Sequence, residues 1–211
     1  DGIGKAYARE LASRGINLIL ISRTLERLEK TREEILSVNN QIQVKIITAD
    51  FSKGQQVFKG IECELKDVPI GILGNFVRIL WNSSDRMVLM TLCFLVNNVG
   101  KQYSYPMVVG DVPEDELWDI INVNVGASTL MTRLVIPGMK KRGKGAIVNV
   151  SSGSELQPLP LMTVYAATKV YLKSFSEALR AEYEEFGITI QHLTPLFVNT
   201  KMNAFSDRLQ V

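Results

Sequence analysis

Gly145-Ala146-Ile147-Val148-Asn149-Val150 is apolar almost throughout, rich in β-branched side chains, and ends in Ser151-Ser152. A strand with one face in water alternates apolar and polar residues. A run without alternation is covered on both faces, the condition of a parallel sheet sandwiched between helices. Similar runs lie at 17–21, 44–49 and 189–193, and another reaches Asn97 through Leu95 and Val96. Between them stand stretches with helical spacing: Leu25, Leu28, Ile35 and Leu36 within 24–39, and Val57, Phe58, Ile61 and Leu65 within 53–65. A long helix is expected from Pro113 through Trp118, Ile121, Val125 and Leu130, and another from Val164 to about Glu185. Strands alternating with helices predict an α/β fold, a doubly wound parallel sheet of Rossmann type. The 211 residues suit one such domain over 1–211.

Sheets of this class bind ligands beyond the carboxyl ends of their strands, so the residues after each run are the candidates. Composition narrows the chemistry. His192 is the only histidine, and Cys63 and Cys93 lack metal-ligand spacing, so neither a metal nor a histidine-based triad is expected. His192 reads as a strand residue. A net charge of +2 with no Lys/Arg block gives no reason to expect nucleic acid. Tyr165 is the acid–base candidate: among six tyrosines it alone has a lysine four residues on, Lys169, on the same helix face. A free phenol, with a pKa of about 10, exchanges protons poorly at neutral pH. An ammonium beside it favours the phenolate and lowers that value, so Tyr165 is expected to trade a proton with a carbonyl or alcohol oxygen.

Asp1-Gly2-Ile3-Gly4 opens the chain as a glycine turn into a helix that Gly15 caps. Gly2 and Gly4 would let the backbone approach a pyrophosphate while the helix N-terminus offers N–H groups and dipole. After 17–21 come Ser22 and Arg23, where NAD enzymes place an acidic residue on the ribose hydroxyls. A guanidinium suits a 2′-phosphate, which favours NADPH; the alternative is that Arg23 is simply the first polar residue after a strand. Asp50 follows 44–49 and fits a helix N-cap. Pro137-Gly138 is expected to end or kink its helix. The stripe Leu172, Phe175, Leu179 and Tyr183 reads as core, with packing across a dimer two-fold as the alternative.

Taken in order, Asp1-Gly2-Ile3-Gly4, Asn97-Asn98-Val99-Gly100, Asn122-Val123-Asn124-Val125, Ser152 thirteen residues before Tyr165, and Tyr165-Ala166-Ala167-Thr168-Lys169 resemble the short-chain dehydrogenase/reductase family. The resemblance extends to the branch that holds 17-beta-hydroxysteroid dehydrogenases and very-long-chain 3-oxoacyl-CoA reductases, through Leu117-Trp118-Asp119-Ile120-Ile121 and Ile136-Pro137-Gly138-Met139. It implies ketone–alcohol hydride transfer with NADPH/NADP+ on a small lipophilic substrate. Tyr165 would be the general acid, Lys169 its partner and a hold on the nicotinamide ribose, Ser152 the hydroxyl on the substrate oxygen, and Asn124 part of a water-linked proton path. The cofactor would lie on Gly2, Ile3, Gly4, Ser22, Arg23, Asp50 (adenine), Asn97, Tyr165, Lys169 and Thr200. An inactive group in this branch carries phenylalanine at the position of Tyr165, so the tyrosine implies the active kind, with a non-catalytic fragment or pseudoenzyme with an incomplete cofactor site as the alternative. A strand and a Thr-Gly pair are implied before Asp1, and anchorage in the endoplasmic reticulum through a segment outside this sequence; otherwise a cytoplasmic protein is expected.

One stretch departs from the pattern. The run 70–73 should continue directly into Val96-Asn97-Asn98, yet 74–94 intervenes, twenty-one residues that match nothing in the family. A retained intron or gene-model error is expected, with a natural insertion as the alternative, in which the apolar 87–94 supplies replacement strand residues. That apolar end is shorter than the ~20 residues a membrane span needs.

Overall fold

The computed structural model describes residues 2–66, 94–196 and 198 of the chain. Strands β1 (Leu18–Ser22), β2 (Val44–Thr48), β3 (Phe94–Asn97), β4 (Gly145–Val150) and β5 (Ile188–Leu193) alternate with helices α1 (Gly2–Ser13), α2 (Leu25–Val38), α3 (Gln56–Leu65), α4 (Glu114–Ile121), α5 (Ala127–Arg142) and α6 (Thr163–Tyr183). Every described strand pair is parallel, so the expected Rossmann-like α/β fold is present. Among the described residues the strands form two hydrogen-bonded groups, β1-β2 and β3-β4-β5.

The two-residue period of the strands divides the core. Ile19 and Ile21 of β1, Leu95 of β3 and Ile147 of β4 share one cluster with α3, α5 and α6. Leu18 and Leu20 pack instead with Ala8 and Ala12 of α1 and Leu28 and Ile35 of α2. Val96, Val148 and Val150 meet Ile3 and Tyr7, so the first turn of α1 sits against the carboxyl ends of β3 and β4. This double cover explains the missing alternation in the sequence. Leu179 belongs to the first cluster, with Phe175 and Tyr183 packed against it, so the α6 stripe is used within the chain.

The helix expected from Pro113 is continuous from Glu114 to Arg142, with a π-turn at Asn122–Gly126 joining α4 to α5. Pro137 does not end it. Val135, Ile136 and Met139 bury on both sides of the proline and hold the last turn to the core. The helix stops at Gly143, whose left-handed φ of 65° lets its N–H reach Lys140 O and Met139 O. The run 70–73 and the extra stretch 74–94 lie outside the described residues, except for Phe94, which opens β3 and pairs with Ala146.

Gly187 brings the chain from α6 into β5 at φ +69°, and a Cβ there would lie 2.3 Å from Gly143 O. Both the backbone and the space exclude a side chain. Gly187→Ala is expected to destabilise by roughly 1–3 kcal/mol from φ alone, and more from the contact; a denaturation midpoint equal to the parent's would show that this turn relaxes freely.

Candidate active site

The polar residues after β4 form the floor of the site. Ser152 is extended (φ −162°, ψ 153°) and caps a short 3-10 turn, Gly153–Glu155, its Oγ accepting Ser154 N–H at 3.3 Å. α6 packs on this turn with Tyr165, Thr168 and Lys169 facing inward. The loop after β3 fixes the start of α6: Tyr103 Oη accepts Val164 N–H at 3.1 Å. Helical spacing thus brings Tyr165 and Lys169, 7% and 4% exposed, to the strand-end serines.

Burial pushes the Tyr165 phenol above the ordinary tyrosine range, and the nearby Ser152 and Ser154 hydroxyls act against that shift. Ser154 Oγ is buried and without a hydrogen-bond partner: close enough to act on the phenol, not aligned as a bond to it. The expectation that Lys169 lowers the phenol is not met in the chain alone. Lys169 Nζ lies 5.6 Å from the centroid of the Tyr165 ring and donates at 3.4 Å to Val150 O. Burial also takes Lys169 itself down to about 8, against the opposing charge of Glu155. A lysine that resists its own charge is a weak lever on its neighbour.

Asn124 is fully buried in the π-turn, a local widening that frees backbone groups. Ser128 Oγ takes up two of them, donating towards Asn124 O at 2.8 Å and Val125 O at 3.0 Å. The Asn124 amide bonds both main-chain groups of Lys101 (2.8 and 2.9 Å) and Thr168 Oγ1 (2.9 Å). It therefore joins the loop after β3 to α6 one residue from Lys169.

The other candidates lie at strand ends. Gly2 opens α1 at φ 63° and Gly4 is buried in its first turn. Ser22 is the last residue of β1, and Arg23 beyond it is exposed. Asp50 follows β2 and its carboxylate accepts Ser52 N–H at 3.1 Å, the capping role its position allowed. Asn97 ends β3, but its side-chain amide lies in a buried chain, donating to Thr132 Oγ1 (3.2 Å) and Asn149 Oδ1 (2.7 Å). Asn149 Nδ2 continues it to Ser176 Oγ at 2.8 Å. Thr200 lies outside the described residues.

Sequence reasoning missed Glu155, His192 and Thr194. The Glu155 carboxylate takes Ser151 Oγ, Thr194 Oγ1 at 2.8 Å, and His192 Nε2 at 2.9 Å from both its oxygens. A signal existed: Glu155 is the only acidic residue between Asp119 and Glu177, and it follows the strand-end serines. Among the described residues no cluster of His, Cys, Asp or Glu is arranged to hold a metal.

The sequence model for short chain dehydrogenases matches residues 1–73 and 81–209. The chain belongs to the short-chain dehydrogenase family. The break covers only 74–80; 81–94 is matched, against the expectation that nothing in 74–94 resembles the family. Family relatives include the human inactive hydroxysteroid dehydrogenase-like protein 1, 46% identical over 99% of this chain and 56% of that protein. The very-long-chain 3-oxoacyl-CoA reductase of Anas platyrhynchos is 41% identical over 98% of this chain and 59% of its own length. The chain thus spans a little over half of these curated relatives. A short-chain dehydrogenase from Sphingobium yanoikuyae, solved in complex with NADPH, has the same fold: TM-score 0.78, 24% identity, 98% of this chain and 71% of that one.

Proposed function

We propose that this short-chain dehydrogenase is an NADPH-dependent oxidoreductase that interconverts a ketone and a secondary alcohol on a lipophilic substrate, a steroid or a 3-oxoacyl-CoA. The observation that carries this reading is the buried Tyr165 beside Ser152, Ser154 and Lys169 at the carboxyl end of β4. A phenol raised by burial keeps its proton at neutral pH, as an acid in the reductive direction must. Ser152, and the unpartnered Ser154 hydroxyl, would hydrogen-bond the substrate oxygen as negative charge grows on it. Lys169 and Asn124 would complete the proton path, Asn124 by fixing Lys101 beside Thr168.

The residues at hand fit the nucleotide. The first turn of α1, held against β3 and β4 by Ile3, leaves its N–H groups for a pyrophosphate. Ser22, Arg23 and Asp50 stand at the neighbouring strand ends for the adenosine part, and Asn97, whose Nδ2 is bonded to Thr132 and Asn149, and Thr200 belong to the same proposal. When bound, the nicotinamide supplies the hydride. The rim supports a lipophilic substrate: Leu156, Leu161 and Leu196 are exposed, as are Tyr105, Val108 and Val109 of the loop after β3. Met107 N–H donates to Leu161 O at 3.0 Å and holds the two loops together. Relatives named for 3-oxoacyl-CoA reduction support this substrate class.

A second reading, a non-catalytic member of the family, is favoured by relatives whose names call them inactive. Assays of the full-length protein with NADPH and a 3-oxoacyl-CoA or a ketosteroid separate the two, since only the first reading yields the alcohol. Cofactor choice is tested at Arg23. Arg23→Asp is expected to weaken NADPH binding by about 1.5–3 kcal/mol, the worth of a charge-assisted hydrogen bond, and to spare NADH. Equal binding of both nucleotides by the parent would contradict the role given to Arg23.

A further inference from the structure

The Glu155 carboxylate is a buried charge that the proposed proton transfer does not use. Its side chain is 3% exposed and that of His192 13%. We infer that Glu155 is a positioning residue: clamped by Ser151, His192 and Thr194, its carboxylate ties the ends of β4 and β5 together beneath α6 and supplies the negative charge that Lys169 faces.

A carboxylate this deep is costly unless donors surround it. Burial alone would raise its pKa, but hydrogen bonds from Ser151, His192 and Thr194 outweigh burial and leave it lowered, so Glu155 is ionised at neutral pH. Two lines run from it to α6. Ser151 Oγ lies between the carboxylate and Lys169 O, 3.2 Å from the latter. On the other side His192 Nδ1 stands 3.4 Å from Ser176 Oγ, which donates to Leu172 O at 2.6 Å. Ser151 is bonded to Leu193 O through its own N–H at 2.8 Å, so the clamp also fixes the peptide that carries Ser152.

The charge has a second effect. Burial drives the proton off Lys169, and Glu155 opposes that. Of the titratable groups on elements packed against α6, Glu155 faces Lys169 from the turn after β4, with His192 of β5 behind it. Tyr165 shares the helix, while Lys101 and Asp119 pair with each other. Without the Glu155 charge the Lys169 ammonium is lost at lower pH, and any turnover that needs it is lost with it.

The consequence for turnover rests on the reductase reading; the clamp and the lysine titration do not. In full-length protein, Glu155→Gln is followed by NMR of the Lys169 side chain, assigned with Lys169→Met. The midpoint is expected below the parent's value of about 8. The alkaline limb of the reduction profile should move down by the same shift, and Glu155→Asp, which keeps the charge, should return both towards the parent. A folded Glu155→Gln protein whose Lys169 titrates as the parent does overturns the inference. If the Lys169 shift appears but the parent reduces no ketone, the positioning role stands and the reductase reading falls. Should Glu155→Gln not fold, Glu155→Met with His192→Leu removes charge and imidazole together, a replacement buried pairs often tolerate, and an unmoved Lys169 midpoint there overturns the inference equally.

Discussion

Replacing Tyr165 by phenylalanine is expected to lower ketone reduction by about 10²–10⁴-fold while NADPH still binds. The size follows from what is lost. The ring stays in its buried place on α6, so packing is unchanged, and only the hydroxyl beside Ser152 and Ser154 disappears. Those serines remain to polarise the carbonyl, but no acid delivers the proton to the new alkoxide. Stopped-flow mixing of the enzyme–NADPH complex with ketone measures the step itself. Turnover within a few-fold of the parent would mean that another group is the acid.

The second large effect is on stability and has the opposite sign. Burial holds Lys169 at about 8 in the folded chain against an ordinary 10.5. Between those values the unfolded chain keeps a proton that the folded chain has released, so stability rises with pH across that window. Below about 8 both states hold the proton, and the folded state carries the full cost of the buried ammonium, about 3 kcal/mol. Lys169→Met removes that cost. The ligand-free variant is expected to be more stable than the parent by about 3 kcal/mol at neutral pH, with the difference shrinking as pH rises through the window. Its ketone reduction should be lost at the same time, a site that sacrifices stability for function. Glu155 keeps its donors Ser151, His192 and Thr194 in the variant, so no new unpaired charge offsets the gain. Denaturant midpoints of parent and variant across pH provide the check; a difference independent of pH would contradict the assignment.

Local chemistry decided how much could be read from sequence. The strands were legible because burial on both faces leaves unbroken β-branched runs, and Tyr165 and Lys169 because helix spacing alone aligns them. Asn124 was visible as an oddity, but its partners were not: within the π-turn its side chain bonds Lys101 and Thr168, twenty-three and forty-four residues away. Pro137 does not end its helix, as tertiary burial of Val135, Ile136 and Met139 outweighs the lost helix bond. Asn97 sits at the expected strand end, yet the Thr132 and Asn149 side chains that claim its amide belong to distant segments. Glu155 and His192, thirty-seven residues apart, meet only because β4 and β5 are parallel neighbours in register, which no local pattern encodes. The phenol's raised pKa likewise depends on the depth at which α6 sits, not on the identity of its neighbours.

The most direct measurement is a single-turnover assay of the full-length protein mixed with NADPH and a lipophilic ketone, either a 3-oxoacyl-CoA or a ketosteroid. Loss of nicotinamide absorbance is followed together with the alcohol formed. The account predicts that one of these ketones is reduced stoichiometrically with the bound NADPH, and that Tyr165→Phe slows the step by about 10²–10⁴-fold without releasing the nucleotide. A folded protein that binds NADPH but reduces neither ketone, or one that fails to bind it, would contradict the account and leave the non-catalytic reading in its place.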